Sequence, residues 1–328
     1  MTLVRTLYLC GAGNSEGVRL ALLINRAQSR WDRIVLLDDD PAKLGLRRMD
    51  VEVVGAVGLL HDVDPDMSEV ANLVARTTRG RRAVRERILA SGVPFAQLVS
   101  PDVLCDGVSL PQDVIVYQHV TLGPESALGD GACVFMGAVI GHEARIGHCC
   151  VVAPNAVINA RVVLGEGAYV GSNASILPEI SVGAWATIGA GSAVVQDVPD
   201  GAAAVGVPAE VFLPGVDAAD RAEPTGPPDA QLERLIEAIW RELLHVPSVD
   251  RDRNFFDLGG DSLLAIRGRE QLRWMTGLDV ALTDVFRYPT VQSLARHLSG
   301  PGAPTGADAL DRGLRRRNSM LSRARNRP

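Results

Sequence analysis

The stretch Ala138-Val139-Ile140-Gly141-His142-Glu143-Ala144-Arg145-Ile146-Gly147-His148 decides the fold. Ile140 and Ile146 stand six residues apart, each with alanine two places before it and glycine one place after. Followed outward, the same period runs through Leu104, Leu110, Val116, Leu122, Leu128 and Val134 on one side, and Val152, Ile158, Leu164, Val170, Ile176, Val182, Ile188 and Val194 on the other. Every one of these positions is aliphatic. Small residues recur two places ahead, at Ala132, Ala156, Ala168, Ala174 and Ala186, and glycine follows again at Gly123, Gly165 and Gly189. A helix repeats about every 3.6 residues and a strand about every 2, so neither produces this spacing. A triangular solenoid does: each short strand turns one aliphatic and one small side chain inward, glycines relieve the corners, and three hexapeptides close one coil.

Ahead of the solenoid, residues 1–100 alternate strand and helix signals. Thr6–Cys10 is apolar, a glycine turn follows, Val18–Ala27 has helical periodicity, and Arg33–Leu37 leads into Asp38-Asp39-Asp40. A strand over Val70–Val74, a helix over Arg82–Ala90 and an extended Phe95–Val99 complete a small, Rossmann-like parallel α/β domain. After the solenoid (101–212), a Pro/Ala/Asp/Gly-rich linker over 213–228 precedes a helical module over 229–300. There Leu232, Leu235, Ile236, Ile239, Trp240 and Leu243 recur at the spacing of an amphipathic first helix, with further helices expected over Ser262–Met275 and Val291–Leu298. The chain is thus expected to be multidomain, which suits its 328 residues, too many for one core.

Composition narrows the class. No apolar run reaches the length of a membrane span, and five cysteines without CxxC spacing read as reduced thiols rather than disulfides or a zinc site. The expected compartment is the cytoplasm. Net charge is −6, yet residues 312–328 hold seven arginines and no acid, leaving about −13 on the rest. The tail over 301–328 reads as a solvated, disordered end, with neither a nucleic-acid nor a membrane role.

The string Asn254-Phe255-Phe256-Asp257-Leu258-Gly259-Gly260-Asp261-Ser262-Leu263 is similar to the attachment motif of peptidyl carrier proteins from nonribosomal peptide synthetases, and Thr283-Asp284-Val285-Phe286 and Pro289-Thr290-Val291 match the same pattern. The resemblance implies a four-helix bundle in which Ser262 receives covalent 4′-phosphopantetheine, whose thiol carries an acyl or aminoacyl group. It also implies a phosphopantetheinyl transferase and an adenylation or acyl-loading enzyme as partners. A serine opening a helix after a glycine pair suits the chemistry, because the phosphodiester would sit at the positive helix end.

Residues 1–212 resemble the NeuD/PglD-type sugar O- and N-acyltransferases, hexapeptide-repeat enzymes with a left-handed β-helix that are typically trimers. In that family the histidine of a His-Glu pair is the general base, which falls here on His142, with Glu143 orienting it. His119 and His148, each single, read as structural, and the spacing of His142 and His148 does not fit the zinc histidines of solenoid carbonic anhydrases. The acceptor would meet the glycine turn at Gly11 and Gly13, with Asp38 and Asp39 placed for a sugar hydroxyl. The donor would meet Gly189 and Gly191 on the last repeats.

Ordinary members of that family use acyl-CoA, yet the closing Gly206-Val207-Pro208-Ala209-Glu210 carries Glu where Lys or Arg is usual. The solenoid's arginines are Arg145 and Arg161, and the chain's single lysine is Lys43. A CoA 3′-phosphate would find little compensation, whereas a carrier-borne arm has no adenosine end to satisfy. A linker of about 16 residues spans at most about 55 Å and about 20–24 Å as a coil. The expected activity is transfer from the chain's own carrier to an amine or hydroxyl of an amino sugar or pathway intermediate, in antibiotic or other specialised-metabolite assembly. The alternatives are a trimeric platform displaying a carrier to partner synthetases, and a conventional acyl-CoA-dependent sugar acetyltransferase.

Overall fold

The computed structural model describes residues 5–213, 229–255, 258–260, 262–278 and 280–299, and the chain divides into two compact units, Met1–Val211 and Phe212–Pro328. Residues 214–228 of the expected linker, the arginine tail, and Phe256, Asp257 and Asp261 of the carrier motif lie outside the described residues.

The first unit opens with β1 (Thr6–Cys10), α1 (Ser15–Gln28), β2 (Arg33–Leu37), β3 (Arg47–Arg48), β4 (Val51–Gly55), β5 (Ser68–Asn72) and α2 (Thr78–Ser91). The sheet order is β3-β4-β2-β1-β5, parallel except where β3 runs against β4. β1 and β2 occupy the predicted residues. Helix α1 starts earlier than its apolar pattern because the Asn14 side chain accepts from Gly17 N, capping the first turn. Thr77 does the same for α2 through Gly80 N. The third core strand ends at Asn72 rather than Val74: the Asn72 side chain accepts from Val74 N and donates to Arg81 O, turning the chain into α2.

From Ile115 to Val194, two-residue strands stack in three parallel sheets and pair with strands eighteen residues away, as in Ile115↔Cys133↔Val151↔Tyr169↔Thr187. This is the stacked-strand repeat of a β-helix. The aliphatic positions from Val116 to Val194 are buried, and Ala132, Ala138, Ala144, Ala156, Ala168, Ala174 and Ala186 are fully so. The first two positions of the period do not join this interior: Leu104 is 79 % exposed and Leu110 half-buried, because the chain there is still entering the first coil.

The corners differ from the expectation in a more informative way. The left-handed backbone position lies three residues after each inward aliphatic and recurs every six residues from His119 to Gly191, with φ between 55° and 71°. Only Gly131, Gly137, Gly167 and Gly191 in that series are glycine. The glycines directly after the aliphatics serve close approach instead. A Cβ on Gly141 would lie 2.5 Å from Ala160 N, and one on Gly165 2.5 Å from Ala184 N, on the next coil.

Helix α2 binds the α/β domain to the solenoid. Arg85 pairs with Asp113 and Asp130, Arg82 pairs with Glu166 at 3.0 Å, and Arg79 lies over the Trp185 ring at 5.0 Å. These arginines reach along several coils: Arg79 and Arg82 both lie over the Trp185 ring, and Arg85 reaches Asp130, two coils before Glu166. The fully buried Arg81 donates to the carbonyls of Asn72, Val74 and Gly131, joining both parts. Tyr117 stacks on Phe135 at 4.7 Å and accepts from Asn14 Nδ2 at 2.9 Å. An apolar cluster including Leu9, Leu20, Leu73, Ile115, Cys133 and Val151 fills the seam.

The second unit contains α3 (Ala230–Leu244), α4 (Ser262–Thr276), α5 (Leu282–Arg287) and α6 (Val291–Leu298). Ile236, Ile239 and Trp240 of α3, Ala265 and Leu272 of α4, Val285 of α5 and Leu294 of α6 surround Phe255. Asp229 caps α3, and Thr290 and Ser293 form a reciprocal cap on α6.

Two glycine substitutions separate the two corner functions. Gly191→Ala meets no atom within 4 Å and adds only left-handed strain, a loss of about 1–2 kcal/mol. Gly165→Ala forces two coils apart and is expected to lower the thermal midpoint markedly more; equal losses would show that corner conformation alone selects glycine.

Candidate functional site

His142 and Glu143 occupy one solenoid corner. Ile140 is buried in the interior, Gly141 lies tight against the next coil, and Glu143 takes the left-handed position at φ 60°. Both side chains therefore leave the corner outward, half exposed. His142 Nδ1 lies 2.8 Å from Glu143 Oε1. A carboxylate accepts, so Nδ1 carries the proton and Nε2 keeps its lone pair directed away from the pair. That is the arrangement of a general base with its orienting acid.

Residues eighteen apart extend the pair. Arg161 Nη1 lies 3.7 Å from the same Glu143 Oε1, while its Nε and Nη2 donate to Glu179 Oε1 at 3.0 and 2.7 Å. In the sequence Arg161 stands only as one of the solenoid's two arginines; its place eighteen residues after Glu143, one coil on, is the signal that joins it to the pair. The other histidines also gain partners from a neighbouring coil: His119 Nδ1 lies 3.1 Å from Asp102 Oδ2, and His148 Nδ1 accepts from Asp130 N at 3.1 Å.

None of the five cysteines offers a competing nucleophile. Burial raises each thiol, Cys10 and Cys150 to about 12, so the thiolate is negligible at neutral pH.

The acceptor candidates gather at the carboxyl ends of β1 and β2. Gly11 is needed for its φ of 110°, and Gly13 stands in open space. Asp38 Oδ2 accepts from Ala12 N at 2.9 Å and Oδ1 from Asp40 N at 3.1 Å, with Lys43 Nζ 3.1 Å from both oxygens. Burial alone would raise this carboxyl; the backbone and lysine hydrogen bonds outweigh it and hold it below the usual value. Asp39 is lowered chiefly by Arg87, which it meets in an ion pair, and it also accepts from Val57 N. Both carboxylates thus brace the turn. Gly189 and Gly191 lie at the last full coils, Gly189 within 3.2 Å of Val205 for an added Cβ and Gly191 at a left-handed corner.

In the helical unit, Ser262 is the first residue of α4. The preceding loop is fixed by Phe255, whose N–H donates to Pro289 O at 2.7 Å and whose carbonyl accepts from Gly260 N at 2.9 Å. Phe255 packs on Trp240 at 4.8 Å, and a Cβ on Gly260 would overlap its ring. Gly260 therefore gives the clearance beside the aromatic anchor, and Gly259 supplies a φ of 96° that other residues disfavour. This suits a covalent phosphodiester arm at Ser262, with the anion at a helix N-terminus.

Residues 234–298 match the family model described as "Phosphopantetheine attachment site". The same region is 39 % identical over 89 residues to "Nonribosomal peptide synthetase nanA" of Aspergillus nanangensis, covering 26 % of this chain and 4 % of that protein. It is 43 % identical over 75 residues to "Malpinin synthetase" of Mortierella alpina, covering 23 % of this chain and 1 % of that protein. The chain therefore spans only a few per cent of these relatives. Among solved structures, 63 % of the chain superposes on 98 % of the acetyltransferase domain of PglB from Neisseria gonorrhoeae, in complex with acetyl coenzyme A, with TM-score 0.58 and 28 % identity. It also covers 96 % of a mutant perosamine N-acetyltransferase from Caulobacter crescentus, in complex with CoA and GDP-perosamine, with TM-score 0.57 and 26 % identity.

Asp38 gives a pH test. Its folded value lies below the unfolded one, so its contribution is present above about pH 4 and lost as pH falls through the folded value. Asp38→Asn is expected to lower stability by about 1 kcal/mol at pH 7, and by progressively less as the pH falls below about 4, by denaturant unfolding. An equal loss at both would mean the charge contributes nothing.

Proposed function

We propose that this chain, a hexapeptide-repeat acyltransferase joined to a phosphopantetheine carrier domain, moves an acyl or aminoacyl group from its own carrier to an amine or hydroxyl of a small acceptor such as an amino sugar. The observation that carries the reading is the 2.8 Å His142–Glu143 pair on a fold shared with acetyltransferases, in a chain that also contains a carrier. When attached, 4′-phosphopantetheine supplies a thiol on which the acyl group travels as a thioester. Ser262 is the proposed attachment point, and a phosphopantetheinyl transferase the enzyme that loads it.

His142 Nε2 takes the proton of the acceptor N–H or O–H as its heteroatom attacks the thioester carbonyl. Glu143 keeps Nδ1 protonated and offsets the charge of the imidazolium. The new amide or ester bond forms as the C–S bond breaks, and the imidazolium returns its proton to the leaving thiolate. No covalent acyl group on the solenoid is required. Gly11, Gly13, Asp38 and Asp39 are the proposed acceptor contacts, Gly189 and Gly191 the donor contacts, and a homotrimer the proposed assembly. Tethering gives an effective donor concentration on the order of millimolar. The pathway supplying the carrier would be one of specialised metabolism, in keeping with its synthetase-like carrier.

A second reading, transfer from free acyl-CoA, is favoured by the CoA and acetyl-CoA in the solved acetyltransferases. Intact-protein mass spectrometry of the acyl-loaded full chain separates the two. Discharge of the acyl mass on adding amino-sugar or amine acceptors, slowed about 10²–10⁴-fold in His142→Ala, is the expected result. Undiminished transfer from acyl-CoA by Ser262→Ala would establish the second reading, and a stable loaded chain across the acceptor panel would make the solenoid a display platform.

A further inference from the structure

The corner that carries His142 is unlike the other two. Its left-handed positions, stacked eighteen residues apart, are Glu125, Glu143, Arg161 and Glu179, with φ of 62°, 60°, 58° and 66°. The equivalent positions of another corner are His119, Gly137, Asn155, Asn173 and Gly191, mostly the residues such a turn favours. Four long charged side chains at a conformation that disfavours them mark this column as serving something other than the turn.

Backbone bonds hold the column in register. Glu143 N donates to Pro124 O at 3.1 Å, Arg161 N to His142 O at 3.0 Å, and Glu179 N to Ala160 O at 3.0 Å. Neighbouring side chains are thus about 4.8 Å apart at their bases and point the same way. Glu143 Oε1 is shared between His142 Nδ1 at 2.8 Å and Arg161 Nη1 at 3.7 Å, and Arg161 is held from the far side by two bonds to Glu179. Among the described residues, the other charged groups along this corner are Glu125, one coil before Glu143, Arg145, whose Nη1 donates to Glu125 O at 2.8 Å, and Asp197, which follows one coil after Glu179 and accepts from Ser181 N at 2.8 Å.

We infer that Arg161 and Glu179 are positioning residues for the His142–Glu143 pair: Arg161 fixes the shared carboxylate oxygen and moderates its charge, and Glu179 sets how far Arg161 leans toward it. This rests on the reading of His142 as the base, and it has a consequence of its own. As a general rule a carboxylate beside an imidazole favours its protonated form and a guanidinium opposes it. Removing Arg161's charge is therefore expected to favour proton binding at His142, and removing Glu179's charge, which frees Arg161 to settle on Glu143, to oppose it. Substitutions at adjacent coils should act in opposite directions, which a loss of packing at the corner would not do.

The experiment is NMR titration of the histidine Cε1–H signals in the full-length protein, with His142 assigned by its disappearance in His142→Gln. Arg161→Gln is expected to shift the His142 titration up by about half a pH unit, and Glu179→Gln to shift it down by a smaller amount. Arg161→Lys, which keeps the charge, should restore a near-native value. Shifts in the same direction, or none, would overturn the inference. The titration needs no acceptor or donor, so it stands apart from the proposed chemistry: opposed shifts in a protein whose acyl transfer ignores His142 would keep the charge column and remove the catalytic reading. Where transfer is active, the acid limb of the rate profile should move with the titration, and a limb unmoved by either variant would again overturn it.

Discussion

Backbone hydrogen bonds between strands whose paired residues are eighteen apart set the distance between successive coils, and the rest of the first unit depends on that distance. It admits no Cβ directly after most inward aliphatics, so glycine stands there for clearance. It places every corner residue above its counterpart one coil on, so side chains at a corner form columns whose members interact whatever their separation in sequence. The interior is filled in consequence by one aliphatic and one small residue per strand, because a narrow triangular prism accommodates little more.

The stacked coils also present the surface to which the α/β domain is attached. Helix α2 carries Arg79, Arg82 and Arg85 at three-residue intervals, and their long side chains reach Trp185, Glu166 and the Asp113–Asp130 pair on several coils. Arg81, on the inner side, replaces carboxylate partners with three carbonyls, two from the α/β domain and one from a solenoid corner. A charge with no carboxylate partner can remain buried only where carbonyl dipoles are fixed around it, and here the backbone of both parts supplies them. The glycine turn that would meet an acceptor and the corner that carries His142 thus belong to one compact unit.

Much of this was legible in the sequence, for identifiable reasons. The six-residue period survives because each inward position is constrained independently by the coil, and β1 and β2 show because apolar runs end in turn residues. The carrier loop was legible because Phe255, Gly260 and Ser262 act within a few residues of one another. What stayed hidden depends on contacts across coils or between elements. Arg161 looked like a lone cation until its position one coil from Glu143 was known, and Asp102 beside His119 was hidden for the same reason. Asp38 and Asp39 read in the sequence as sugar contacts, and their bracing role is not visible there because Ala12 N, Lys43, Val57 N and Arg87 approach them from four separate segments. The glycines were rightly noticed but given the wrong physical cause, since close approach and positive φ select the same residue.

At the corner that carries His142, the described partners stand next along the chain or one coil away, and the side chains leave the interior altogether. Charge placed there is set apart from the hydrophobic filling, so its surroundings change by exchanging residues along a single file. A group in a packed cleft touches many neighbours at once. Here the alphabet of adjustment is linear, and its letters are spaced by one turn of the coil.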